Sequence, residues 1–261
     1  MDLGLHDKTA LVLGASRGLG AAVARALVAE GATVIAAART EADIEAWRAQ
    51  LPADQAARIV PVRVDMADLA SVDALASFAL GRGALDIVVN NGGGPPPGGA
   101  ADATLAQWTA NFQAMAAHMF HLNGLLLPAM RTRGWGRIIT IASSGVEQPI
   151  PNLALSNGIR AAVVGWSKTL AGEVAGDGVT VNIVMPGRIE TDRTGQLDAA
   201  AAGRTGKSVD AVKAASVATI PAGRYGRPEE FADVVCFLAS ARAGYVTGSR
   251  VRVDGGIIRA I

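Results

Sequence analysis

The sequence predicts an α/β fold: one doubly wound parallel sheet of about seven strands with helices on both faces. Three observations carry that prediction. Short apolar, β-branched runs alternate with longer alanine-rich stretches of helical period. Each parallel crossover needs a covering helix, so strict alternation implies a parallel sheet, and right-handed crossovers place helices on both faces. The 261 residues suit one domain with a sizeable core, and no internal repeat or Gly/Pro linker divides them.

Residues 9–13 read as the first strand and 19–29 as the helix after it. Residues 33–37 form a second strand, followed by a helix from about 41 to 51. Strands at 59–64 and 87–89 flank a helix over about 69–80. A long helical segment covers about 105–131 and leads to the strand 137–141. A helix over roughly 155–175 precedes the strand 179–184. The last helix is about 228–239 and the last strand 250–253. Two regions interrupt the rhythm, Gly92-Gly93-Gly94-Pro95-Pro96-Pro97-Gly98-Gly99 and residues 193–223. Both follow strands, and loops at the carboxyl ends of strands line the ligand crevice of such a sheet. The second is read as a flexible substrate loop, against the alternative of a solvated surface excursion.

Lysine and arginine number 24 against 23 acids, a net charge of +1, which argues against a protein built mainly to grip nucleic acid or an anionic membrane. Half the residues are hydrophobic but only 4 % aromatic, so alanine, valine, leucine and isoleucine supply the core and the body is not disordered. Cys236 is the only cysteine, which excludes an internal disulfide and a cysteine-built metal site, and no metal is expected. The first residues lack a basic stretch followed by an apolar one, and no run reaches the roughly 18 apolar residues of a membrane span. The expectation is a cytoplasmic protein whose partner is a small molecule.

After the first strand comes Gly14-Ala15-Ser16-Arg17-Gly18-Leu19-Gly20, then a helix. Glycines there permit a tight turn and close approach to a pyrophosphate, whose charge faces the helix N-terminal N–H groups. The spacing is G-x-x-x-G-x-G, and its place between strand and helix turns a common glycine pattern into a dinucleotide signal. An acid ending the second strand would accept ribose hydroxyls and repel a 2′-phosphate. Here the strand ends Ala36-Ala37-Ala38-Arg39, so Arg39 with Arg17 forms a candidate phosphate clamp and NADP(H) is favoured over NAD(H). The alternative is two ordinary solvated arginines. Asp65, after the third strand, is a candidate acceptor for the adenine amino group, and Asn91, Gly92 and Gly93 follow the fourth strand on the cofactor path.

These residues, with Val64-Asp65, residues 134–144, Pro186-Gly187, Gly226-Arg227-Pro228-Glu229-Glu230 and Asp254-Gly255-Gly256, make the chain resemble a short-chain dehydrogenase/reductase of the 3-oxoacyl-carrier-protein reductase-like type. The likeness runs from Lys8 to about Ile257. It implies a Rossmann-type domain, cofactor contacts from Pro186 and Gly187, and a homotetramer or homodimer. Leu13 and Gly92 depart from the usual threonine and alanine.

The resemblance also implies a catalytic set: a tyrosine that handles the proton, a lysine four residues later on the nicotinamide ribose, a serine on the substrate oxygen, and an asparagine supporting a water relay. The flanks at 139–144 and 160–165 fix the register. Ser143 occupies the serine position, Ser156 the tyrosine position, Arg160 the lysine position and Met115 the asparagine position. Only the serine is retained. The two tyrosines, Tyr225 and Tyr245, lie far downstream. A phenol near a pKa of about 10 can be shifted toward working pH by a neighbouring cation, whereas an aliphatic hydroxyl is a much weaker acid. Arg160 stays charged and suits ribose hydroxyls or an acidic ligand.

Substitute proton donors are His118, at i+3 from Met115 and so on a similar helix face, and His121, for both of which packing or solvation is the favoured reading, together with Glu147, Tyr225 and Lys168. Three functions follow from these residues: an NADP(H)-dependent oxidoreductase on a carbonyl or hydroxyl substrate with a rebuilt proton route, a non-catalytic dinucleotide-binding sensor or partner subunit, and an enzyme of another class in which Arg160 anchors an acidic substrate. Family membership alone does not choose among them.

Overall fold

The apolar runs become seven strands: β1 (Thr9–Leu13), β2 (Thr33–Ala38), β3 (Ile59–Arg63), β4 (Ile87–Asn90), β5 (Gly136–Ile141), β6 (Val179–Pro186) and β7 (Arg250–Val253). In the computed structural model, which describes residues 1–260, they pair in parallel throughout, in the order β3-β2-β1-β4-β5-β6-β7. Strand order reverses at β1, between β2 and β4. That reversal opens a crevice beyond the carboxyl ends of β1 and β4.

Side chains alternate between the two faces of each strand, and the core splits accordingly. Ala10, Val12, Val34 and Ala36 pack with α1 (Gly18–Ala29) and α10 (Pro228–Ala239), through residues such as Leu27 and Phe231. Leu11, Leu13, Ile35 and Ala37 pack with α4 (Leu69–Gly81), α6 (His118–Arg133) and α7 (Ala154–Val174), through Leu75, Leu126 and Ala171.

Three expectations need correction. The helix expected over 41–51 is α2 (Glu41–Arg48) followed by a short turn, α3 (Ala53–Ala56), because Pro52 cannot continue the first helix. The long segment after residue 104 is α5 (Leu105–Phe112), a π-helical turn over Gln113–Ala117, and α6. Residues 193–223 are largely helical rather than a loop, forming α8 (Asp192–Thr205) and α9 (Val209–Val217). Thr191 caps α8 by accepting from the Thr194 N–H, Ser208 caps α9 by accepting from the Ala211 N–H, and Gly206 ends α8 in the left-handed region at φ +67°. The alanine content that resembled a flexible loop is high helix propensity.

A buried polar seam ties β4 to its neighbours beneath the crevice. Asn90 Nδ2 donates to Thr140 Oγ1 on β5 at 3.1 Å and to Asn123 Oδ1 on α6 at 3.3 Å, and Asn123 Nδ2 donates back to Asn90 Oδ1 at 3.0 Å.

Candidate active site at the carboxyl ends of the sheet

The glycine turn forms one end of the crevice. Gly14 has φ +62°, and a Cβ there would stand 2.7 Å from Asn91 Nδ2, which donates to the Gly14 carbonyl at 3.3 Å. A Cβ on Gly20 would collide with the Gly14 carbonyl. Arg17, the residue before α1, is extended and offers no side-chain cap, and no acid stands in the helix's first turn. The first-turn N–H groups therefore have no side-chain acceptor, which is the arrangement that receives a phosphate. Ser16, Gly18 and Leu19 are half-buried in the same turn.

Arg17 and Arg39 are exposed, and among the described residues neither has a carboxylate within ion-pair distance. Asp65 keeps one oxygen on the Ala67 N–H at 2.9 Å. Gly92 and Gly93 are exposed beyond β4. Pro186 ends β6, and a Cβ on Gly187 would come within 2.7 Å of Asp254 Cα. Backbone approach, unspent helix donors and unpaired cations together fit a dinucleotide with an extra phosphate.

At the other end a cleft runs between β4, β5, the π-helical turn and α7. Its walls include Leu13, Met66, Met115, Met119 and Val163, with Arg160 as its one titratable side chain. Arg160 Nη1 donates to the Ile141 carbonyl at 3.0 Å, and Nη2 reaches the Gly92 carbonyl at 3.5 Å. Burial and, secondarily, the Arg193 guanidinium lower Arg160 to about 10, so it stays cationic at neutral pH.

Met115 and Arg160 are thus brought together, whereas Ser143 and Ser156 stand outside the cleft lining. Ser143 Oγ accepts from the Gly145 N–H at 3.1 Å and caps the short turn after β5. Ser156 is half-buried in the first turn of α7, and its hydroxyl has no protein partner among the described residues. Met66, Met119, Thr140 and Arg193 were not singled out by sequence reasoning. Met119 follows Met115 by four residues, a spacing that a helical reading does contain.

The substitute proton donors are otherwise engaged. His118 was expected on a similar face to Met115, but Met115 sits in the π turn, whose wider winding displaces residue i+3. His118 Nδ1 bonds the Met66 carbonyl at 2.7 Å, and His121 Nε2 pairs with Asp73 at 2.6 Å. Glu147 is turned to β7, with Arg252 Nε at 2.9 Å and Arg250 Nη1 at 3.6 Å. Tyr225 is buried and donates to Asp198 Oδ2 at 3.0 Å, while Arg188 donates to the other oxygen at 3.1 Å. Burial pushes the Tyr225 phenol up, and the adjacent Asp198 adds to the rise. Lys168 Nζ donates to the Gly248 carbonyl at 3.3 Å. No trio of His, Cys, Asp or Glu able to hold a metal occurs among the described residues, and none of their helices is long and apolar enough to cross a membrane.

A doubly wound sheet with this cradle defines a dinucleotide-binding fold. A family model described as Enoyl-(Acyl carrier protein) reductase matches residues 14–258. The 3-oxoacyl-[acyl-carrier-protein] reductase FabG of Escherichia coli (strain K12) is 37 % identical over 257 residues, 98 % of this chain and 99 % of that protein. Among solved structures, L-sorbose reductase from Gluconobacter frateurii, complexed with NADPH and L-sorbose, superposes with a TM-score of 0.93 at 32 % identity over all of both chains. YwfH, an NADPH dependent reductase involved in bacilysin biosynthesis, gives 0.91 at 27 % identity over 98 % of this chain and all of that one. The chain belongs to the short-chain dehydrogenase/reductase family.

Proposed function

We propose that this chain is an NADP(H)-dependent oxidoreductase for a carbonyl or hydroxyl substrate in which the family's usual tyrosine/lysine proton transfer is absent or strongly impaired. The reading is supported by the pairing of a glycine cradle with Ser156 and Arg160 on α7, at the positions where the family resemblance expects the tyrosine and the lysine. Relatives named as NADPH reductases support the choice of cofactor. Bound nicotinamide supplies or accepts the hydride.

The chain's own residues do the rest. Gly14, Ser16, Gly18, Leu19 and Gly20 with the α1 N–H groups receive the pyrophosphate. Arg17 and Arg39 hold the 2′-phosphate, Asp65 accepts from the adenine amino group, and Asn91, Gly92, Gly93, Pro186 and Gly187 bound the cofactor path. Arg160 holds ribose hydroxyls, and Ser143 remains to orient a substrate oxygen. Ser156 is too weak an acid to replace a phenol, and general acid–base help is worth about 10²- to 10⁴-fold in rate. The reading includes one Rossmann-type domain with 193–223 facing the substrate, a cytoplasmic location and a homotetramer or homodimer.

A second reading, a non-catalytic dinucleotide sensor or partner subunit, is favoured by a cleft whose one titratable side chain is Arg160. Calorimetric titration with NADPH and NADH, followed by NADPH oxidation with ketones, 3-oxoacyl thioesters and imines, separates the two. Preferential NADPH binding with slow turnover supports the first. Binding with no oxidation above a heat-killed control supports the second, and absence of NADPH binding sinks both.

A further inference from the structure

The geometry points to a ligand carrying a carboxylate on an apolar body, held by Arg160 in the cleft beside the glycine cradle, with Arg193 at the Gly/Pro segment outside the lining as the second cation. The inference rests on the function proposed above: the cradle and its arginines go to the dinucleotide, the cleft borders its path at Asn91, Gly92 and Gly93, and Arg160 keeps donors beyond those that ribose hydroxyls take. Its basis is an unmatched pair of cations. Arg160 offers five N–H donors, of which two are turned to backbone carbonyls, one of them at the long distance of 3.5 Å. Arg193, on the first turn of α8, anchors Nη2 on the Pro95 carbonyl at 3.2 Å, in the Gly/Pro segment that begins at the cleft's own Gly92.

Neither guanidinium has a carboxylate partner among the described residues, and the cleft lining contains no acid. Both reach the same short segment: Arg160 Nη2 faces the Gly92 carbonyl, and Arg193 Nη2 lies on the Pro95 carbonyl and 3.5 Å from where a Cβ on Gly94 would stand. A half-buried cation with no acid in its surroundings is costly until an anion joins it. Ribose hydroxyls can occupy donors but bring no charge.

Residue type sharpens the point. A lysine at position 160 could shed its proton when buried, but a guanidinium keeps its charge and presents a planar fork matched to a carboxylate. The remaining walls, Leu13, Met66, Met115, Met119 and Val163, suit an apolar body, and methionine adapts to its shape. An apolar acid therefore fits better than a sugar or a polyphosphate.

The test is calorimetric titration of the full-length protein, with and without saturating NADP⁺, using hexanoate and cinnamate beside hexanamide and cinnamamide. At least one acid is expected to bind about tenfold or more tightly than its amide, as charge-assisted hydrogen bonds require. Arg160→Gln should abolish that preference, and Arg193→Gln should narrow it while leaving NADP⁺ affinity unchanged. Should Arg160→Gln fail to fold by thermal melt, Arg193→Gln alone decides. Equal affinity for acid and amide, or no binding by either acid, overturns the inference. So does an Arg193→Gln protein that loses NADP⁺ affinity and keeps the acid preference, because Arg193 would then serve the cofactor. An acid preference in a protein that binds no NADP⁺ would retire the function proposed above and leave the cleft assignment standing.

Discussion

The two ends of the crevice are made of different material. The cradle between β1 and α1 is backbone: Gly14 at positive φ against Asn91, Gly20 against the Gly14 carbonyl, and helix N–H groups without side-chain caps. The cleft between the π turn and α7 is side chain: Met115, Met119 and Arg160. A backbone site is constrained by space, since a single Cβ destroys it. A side-chain site can be rewritten without disturbing the helix that carries it, and α7 runs unbroken through Ser156 and Arg160. That is how a glycine cradle can persist beside a cleft whose chemistry, in the function proposed above, has changed.

The sharpest way to break this contrast is to restore the side chains alone. Ser156→Tyr with Arg160→Lys is expected to raise NADPH-dependent ketone reduction by about 10²- to 10⁴-fold, the usual worth of general acid–base help. A double variant that folds, binds NADPH and shows no gain would mean that the cleft has diverged beyond those two positions. Next in size is the cradle's charge. Arg39→Glu should weaken NADPH by about 10- to 100-fold, the loss of one charge-assisted contact, and move preference toward NADH. Unchanged affinities in calorimetry would remove Arg39 from the phosphate clamp.

The seam beneath both ends gives a smaller effect. Asn123→Leu strips Asn90 Oδ1 of its donor and the Met119 carbonyl of its side-chain donor and should cost about 1–3 kcal/mol. For a domain of this size that lowers the melting temperature by about 2–4 °C per kcal/mol. A melt superimposable on the parent's would show that the network contributes nothing. Smallest is a control outside the crevice. The Arg224 guanidinium and the Arg227 backbone N–H draw Glu230 from 4.5 down to about 2. A carboxylate depressed by folding stabilises above its unfolded pKa, and that stability fades as pH falls from 4.5 toward 2. Glu230→Gln should therefore melt lower than the parent near pH 6, with the gap closing over that window and NADPH affinity unmoved. A gap independent of pH would assign the effect to something other than ionisation.

Legibility in the sequence follows the same division. All seven strands lay within two residues of their expected ends because strands buried on both faces of a parallel sheet read as short, near-continuous apolar runs rich in β-branched residues, which stand out from the longer alanine-rich helices. The cradle was legible for a related reason, since its glycines mark places where the chain has no alternative. The helices of 193–223 were missed because alanine and glycine together resemble a loop until the Thr191 and Ser208 caps are counted. The π turn was invisible, since nothing in Gln113–Ala117 announces an extra residue per turn, and with it went the facing of His118.

The order of residues alone determined the α/β alternation, the glycine turn after β1 and the placement of Ser156 and Arg160 four residues apart on one helix, because each is local in the chain. Only the folded molecule decided that Arg160 and Arg193 reach one Gly/Pro segment, that Glu147 belongs to β7 and that Tyr225 belongs to Asp198. Those partnerships join residues separated by 27 to 105 positions, the last being Glu147 and Arg252. Such contacts are set by how the elements pack against the sheet, and no spacing along the chain encodes them.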